Sequence, residues 1–395
     1  MNDITLISIT LCSGLLVIYH HFGYPLILRA FHKQQPKHTQ QTCQRHYTNS
    51  PKDGDLPSIA IVIPAYNEEL WIAEKIRNLA ALDYPSGHLQ IIIGCDGCSD
   101  NTFTVASAAV KEPECAHLRI KIVNFKTNRG KVALLNELIT ALDSELIALS
   151  DTSALLSIDS LLIAAQRFKD PDIGVLNGRY HLLSPGSAGE AAYWNYQSRI
   201  KASEAALGST LGAHGAFYLF RRALFEPLAS DTINDDFILP MKIVAAGYRA
   251  DYENSINALE LEKSNSSQDH LRRRRIAAGN FQQLLRLKQL FLPRYGGVAF
   301  AFISGKGLRV LMPFLMISTL LGSLLLAADY LLFTALAGLQ LFTYLLASWE
   351  LLYKPQQSNK ISKLLAYLVG GHIAGLIGTL RYALRLDKGR WTKIN

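Results

Sequence analysis

The two stretches SIAIVIP (58–64) and LQIIIGC (89–95) decide how this chain folds. Each is a short run rich in β-branched residues, and the first ends on Pro64, which has no N–H to give a ladder. Between them, 69–82 carries apolar residues at helical spacing. Strand, helix and strand at this separation make a βαβ unit, so the two strands lie parallel in one sheet. Segments 120–125 and 146–150 read as third and fourth strands, with a helix over 131–142 between them. The expected fold class is α/β, an open doubly wound sheet whose ligands lie beyond the carboxyl ends of the strands. That rule points to 64–68, 96–100 and 151–153.

Outward from this block, long uncharged runs occupy the two ends of the 395-residue chain. A hydrophobic content of 49% with 18% charged residues is high for a purely soluble protein, so membrane segments are expected. The residues before the first run, 4–28, carry Asp3 and no Lys or Arg, and the run is followed by Arg29, Lys33 and Lys37. The positive-inside rule therefore places the N-terminus outside an inner or plasma membrane and the following domain in the cytoplasm. The run lacks the basic n-region and small-residue cleavage site of a signal peptide and reads as an uncleaved anchor. His20 and His21 read as interfacial residues rather than metal ligands.

The resulting plan is an anchor (1–31), a polar linker (32–55), a soluble domain (56–265), a basic motif with interfacial amphipathic helices (266–307) and a transmembrane hairpin (308–352) turning at Asp329. A last apolar segment and a basic tail complete it (353–395). Segment 364–380 holds Gly370, Gly371, His372, Gly375 and Gly378, and both of its flanks are rich in Lys and Arg. One crossing cannot place both flanks inside, so it reads as re-entrant or interfacial, with spanning as the alternative.

The net charge of +8 sits largely beside apolar segments rather than along a soluble face, which favours lipid headgroups or phosphate substrates over nucleic acid. Cys12, Cys43, Cys95, Cys98 and Cys115 form no disulfide framework, in keeping with a reducing compartment.

Carboxylates at the ends of successive parallel strands repel unless a cation or hydrogen-bond donors compensate. Asp96 and Asp151 are so placed. Mg²⁺ or Mn²⁺, held by one or two carboxylates and phosphate oxygens, is the simplest compensator, and a nucleotide diphosphate completes such a site. Taken singly, Asp96 is equally a turn residue and Asp151 a helix cap.

Seven motifs in order carry a resemblance: IVIPAYNEE (61–69), CDGCSDNT (95–102), NRGKVALLN (128–136), SDTS (150–153), GAHGAFYLFRR (212–222), NDDFILPMKI (234–243) and RRRRI (272–276). Together they resemble the family 2 glycosyltransferases, which include the cellulose, chitin and hyaluronan synthases and bacterial exopolysaccharide enzymes. The resemblance implies a GT-A fold, a nucleotide-diphosphate sugar donor such as a UDP-sugar, and a carbohydrate or lipid-linked acceptor at the membrane. It also implies possible partners in polysaccharide export.

In this resemblance Pro64, Ala65, Tyr66, Asn67 and Glu68 cradle the nucleotide, Asp96 contacts the base and Lys131 faces the nucleotide. Asp151 is the metal-side carboxylate of a D-x-D-type motif whose third position is here Ser153, a weaker ligand. Asp236 is the general base for the acceptor hydroxyl, with Asp235 in place of the family's glutamate. Asp236 also reads as the N-cap of a helix over 237–246. Arg272, Arg273 and Arg275 fall where the family has Q-x-x-R-W and suit a diphosphate leaving group, while Ile276 replaces the tryptophan. Gly212, His214 and Gly215 line the acceptor side. Tyr193, Trp194 and Tyr196 are either sugar-stacking faces or plain core.

Two other classes compete. A dinucleotide oxidoreductase shares the sheet pattern, but PAYNEE stands where the pyrophosphate turn G-x-G-x-x-G belongs. A membrane scaffold or nucleic-acid binder would rest on Arg272–Arg275 alone, and an arginine run is usually a solvated face or a lipid contact.

Overall fold

The computed structural model describes residues 2–34, 47–185, 188–262, 266–353 and 359–386. The middle of the expected linker, Lys37, Lys354 and the tail residues Lys388, Arg390 and Lys393 lie outside the described residues. The chain divides into two compact units. One is drawn from Ala30–Asn265 and Leu292–Val298, the other from Met1–Arg29, Ser266–Phe291 and Ala299–Asp387.

The first unit is built on one eight-stranded sheet. Its strands are β1 (Ile59–Ala65), β2 (Leu89–Asp96), β3 (Arg119–Phe125), β4 (Leu146–Ser150), β5 (Ala154–Leu156), β6 (Ile173–Leu182), β7 (Phe217–Arg221) and β8 (Arg249–Glu260). They lie in the order β3-β2-β1-β4-β7-β6-β8-β5. The half formed by β3, β2, β1 and β4 is parallel, with Ala65 level with Cys95 and Ile59 level with Leu146. All seven residues of β1 are buried, as expected for a strand covered on both faces. Each of Ile59, Ile61 and Ile63, wholly inaccessible, contributes about 1.5–3 kcal/mol of burial. β3 closes the edge, with Arg119 and Lys121 exposed, charges that discourage pairing with a further strand.

The other half, whose strands lie outside the four read from the sequence, is mixed. β7 runs antiparallel to both β4 and β6, β6 and β8 are parallel, and β5 is antiparallel to β8. The fold is a mixed α/β sheet. This reversal brings the segment before β7 back to the carboxyl end of β4, where Asp151 N–H donates to Ala216 O at 3.2 Å.

The second unit is helical. Helices over Asp3–Phe31, Gly297–Leu326, Leu331–Tyr353 and Ile361–Ala383 are each long and apolar enough to cross a membrane. The first continues through a π turn at Tyr19–Gly23. There His20 Nδ1 lies 2.9 Å from Ser304 O, and His21 Nε2 lies 3.2 Å from His372 Nε2. The last apolar segment is one unbroken helix, Lys360–Ala383, glycines included.

Candidate active site

The site forms at the carboxyl ends of β1, β2 and β4. After β1, Tyr66, Asn67 and Glu68 are half-buried, while Pro64 and Ala65 are fully within the strand. Asn67 adopts a left-handed φ of 56°, and its Oδ1 accepts from Ser99 N at 2.9 Å, which ties this turn to the one after β2. Glu68 N donates to Thr102 Oγ1 at 2.7 Å in the same lacing.

Asp96 is wholly inaccessible. Its carboxylate accepts from Arg129 N at 3.1 Å and Gly130 N at 2.8 Å. Those bonds compensate its burial and shape the turn that delivers Lys131, first residue of the helix Lys131–Thr140. Lys131 Nζ lies 3.3 Å from Asp151 Oδ1 and 3.5 Å from Asp235 Oδ2. Burial works to lower its pKa, but Asp151, Asp235 and Asp236 outweigh this and hold the ammonium above its usual range.

Asp235 and Asp236 open the helix Asp235–Ala245, and the residue before it is Asn234. The expectation that Asp236 caps a helix starting at Phe237 is therefore corrected: Asp236 lies inside the first turn. Its charge there is favoured by the helix dipole by about 0.3–1 kcal/mol. Burial, and next the charge of Asp235, push its carboxyl up to about 6, with Lys131 pulling the other way. A carboxyl poised there suits proton abstraction near neutral pH.

Gly215 lies beside both acidic positions. A Cβ built on it would stand 3.4 Å from Asp151 Oδ2 and 3.5 Å from Asp236 Oδ2, so the missing side chain leaves the space between these carboxylates. Beneath them Tyr218 is buried on β7. Burial and then Asp235, Asp236 and Asp151 push its phenol well above the ordinary value, so it stays neutral.

Gly212 has φ 72°, and a Cβ there would fall 2.3 Å from the Phe237 ring. Its carbonyl accepts from Lys201 Nζ at 3.0 Å, and Leu211 N donates to Glu204 at 3.0 Å, which fixes the strap leading to His214. His214 Nδ1 accepts from Ala216 N at 3.2 Å, so in the neutral ring Nε2 carries the hydrogen. The ring stacks on Tyr180 at 3.9 Å, and Trp194 meets both edge-on, at 5.1 Å from His214 and 4.5 Å from Tyr180. Trp194 also packs against the core. Tyr180 completes this aromatic group and is absent from the sequence reading.

Ser153 is buried, and its carbonyl accepts from Leu261 N at 2.9 Å. Glu260, at the end of β8, is held up by burial and lowered again by a hydrogen bond from Ser153. The other side chain that the sequence reading missed is Lys75, wholly inaccessible. Burial pushes its ammonium down to about 7 against the attraction of Asp151 and Glu260. The signal was present: Lys75 interrupts the apolar stripe Ile72, Ile76, Leu79 on the inward face of its helix.

Arg272, Arg273 and Arg275 lie on the helix Ser266–Arg286 of the helical unit, where the Arg273 guanidinium stands 4.3 Å above the Tyr367 ring. Among the described residues no three His, Cys, Asp or Glu side chains converge to hold a metal by themselves. The open cradle beside Gly215, with the oxygen donors of Asp151 on its rim, nonetheless fits a hard divalent ion completed by phosphate and water.

A sheet of this order, with charged side chains gathered at the ends of its parallel strands and long apolar helices toward both chain ends, defines a GT-A fold in membrane-associated form. Residues 57–278, more than half of the chain, match the family described as Glycosyltransferase like family 2, and the chain belongs to that family. It is 28% identical over 211 residues to a beta-monoglucosyldiacylglycerol synthase of Trichormus variabilis, a match covering 50% of this chain and 43% of that protein. It is 26% identical over 206 residues to a poly-beta-1,6-N-acetyl-D-glucosamine synthase of Staphylococcus epidermidis, covering 50% and 48%. The matched part thus spans less than half of each relative. In fold it is similar to the mannosyltransferase PcManGT of Pyrobaculum calidifontis, solved with GDP-Man and Mn²⁺. The TM-score is 0.68 at 20% identity, covering 94% of this chain and 99% of that one.

Proposed function

We propose that the chain is an inverting membrane glycosyltransferase that moves a sugar from a nucleotide diphosphate, a UDP-sugar in the first instance, to a carbohydrate or lipid-linked acceptor for cell-surface polysaccharide. The observation that carries this reading is that Asp151 and Asp236 both border the space left open at Gly215. The donor's diphosphate belongs on the Asp151 and Lys131 side, with the turn 64–68 and the Asp96 loop around the nucleoside. Asp236 takes the proton of the acceptor hydroxyl as that oxygen attacks the anomeric carbon and the bond to the diphosphate breaks. Mg²⁺ or Mn²⁺, when bound, supplies charge neutralisation to the diphosphate, and Asp151 is the carboxylate that would hold it, with Ser153 beside it.

Gly212, His214, Gly215 and the Tyr180–Trp194 faces belong on the acceptor side, where aromatic rings suit the apolar faces of sugars. Arg272, Arg273 and Arg275 are assigned to the departing diphosphate, and the sheet unit to the cytoplasmic side of the cell membrane. The relatives support two acceptor classes, since one is named as a polysaccharide synthase and the other as a glycolipid synthase. A screen of nucleotide sugars for metal-dependent nucleotide release, with product length read on the purified protein, tests both. Products longer than one added sugar support the polymer, a single glycolipid supports the lipid, and no release with any donor refutes the transferase reading.

A further inference from the structure

Lys75 places an amino group in the core. Its Nζ donates to Ser150 Oγ at 2.6 Å and to Ala154 O, and it forms no ion pair among the described residues. A lone buried ammonium costs several kcal/mol of desolvation, which two neutral acceptors offset only in part. An apolar residue of similar length would complete the stripe of Ile72, Ile76 and Leu79 at no such cost.

What the ammonium grips gives its use. Ser150 is the last residue of β4 and Ala154 the first of β5, and between them lies the turn 151–153. Ser150 Oγ also donates to Ala216 O at 2.9 Å, the carbonyl that accepts from Asp151 N–H, and Ala154 N donates to Asp151 O at 3.3 Å. One ammonium thus joins both ends of the turn that presents Asp151 and, through Ala216, the residue next to Gly215.

We propose that Lys75 is a positioning residue, clamping the 150–154 turn so that the Asp151 carboxylate meets the diphosphate and its metal in a fixed orientation. The proposal rests on the donor-side role given to Asp151. Supporting groups behind a metal-binding carboxylate typically change affinity by about 10–100-fold when removed.

The test uses the detergent-purified full chain and titrates UDP and GDP, each with Mn²⁺, against wild type, Lys75→Met, Ser150→Ala and Asp151→Ala, with melting temperatures on the same samples. Lys75→Met is expected to bind the nucleotide that wild type prefers at least about tenfold more weakly in Mn²⁺. Its melting temperature should match or exceed wild type, because a buried charge has been replaced by an apolar chain. Ser150→Ala removes the same grip from the other side. It should weaken binding in the same direction and add little to Lys75→Met in the double variant. Should Lys75→Met fail to fold, Ser150→Ala alone decides. Metal-dependent affinity within about threefold of wild type in Lys75→Met, or in Ser150→Ala if that must decide, overturns the clamp, provided Asp151→Ala loses affinity. If Asp151→Ala also binds normally, the donor-side reading of Asp151 is what fails, and the clamp falls with it.

Discussion

The ammonium of Lys131 stands between two carboxylates, 3.3 Å from Asp151 and 3.5 Å from Asp235, and so joins the turn after β4 to the first turn of the helix Asp235–Ala245. It supplies the positive charge that lets three aspartates share one end of the sheet. Lys131→Met leaves that acidic group without its nearest cation. Since Lys131 pulls the Asp236 carboxyl down, the acid limb of the transfer rate should move upward by about one pH unit in the variant. An unmoved limb in a pH–rate profile would separate Lys131 from the base.

The wild-type profile has its own expected shape. Asp236, pushed up to about 6, must be ionised to accept a proton, so transfer should rise through a limb near that pH. The stability effect has the opposite sign. A carboxyl raised from 3.8 to about 6 by folding favours the folded state fully below pH 3.8, and this contribution is lost as pH rises through 6. Asp236→Asn lacks that loss and should be more stable than wild type at pH 7.5, by roughly 1–3 kcal/mol, with the difference fading toward pH 4. Melting curves at the two pH values check it.

Gly215→Ala places a methyl group against both Asp151 and Asp236. The backbone there needs no glycine φ, so folding should be kept while transfer falls by roughly 10–100-fold, as expected for a misplaced reacting group. A folded variant with wild-type turnover would mean that the gap is not where the reacting atoms sit.

Asp151→Ala should abolish the metal dependence of nucleotide binding, whereas Ser153→Ala should change it by only a few-fold, since a carboxylate holds a divalent ion far more strongly than a hydroxyl does. Equal losses in calorimetry would make Ser153 a ligand in its own right.

The parallel half of the sheet was legible because β1, β2 and β4 are buried on both faces and read as continuous apolar runs. The antiparallel half was not. β7 is five residues long, β5 is three, and β6 and β8 break register at bulges, so none carries a clean alternating signature. The start of the helix at Asp235 was misplaced because two acidic residues after Asn234 satisfy the same first-turn preference whichever of the three is the cap. Lys75 was legible as a break in the apolar stripe Ile72, Ile76, Leu79, but its partners were not, because Ser150 and Ala154 lie some 75 residues further on and only the sheet brings them to it. Tyr180 lies 14 residues before Trp194 and 34 before His214, so the three rings share no local spacing and meet only in the folded chain.

The central claim is that Asp236 is the base while donor binding is carried by other residues, and Asp236→Asn tests it most directly. Asparagine keeps the size and the place in the first helical turn but cannot take the proton. Donor affinity and transfer rate should be measured on one preparation. The account predicts nucleotide affinity within about threefold of wild type and transfer lowered by roughly 10²–10⁴-fold. Near-normal transfer in a folded Asp236→Asn protein would contradict it and shift the base role to Asp235.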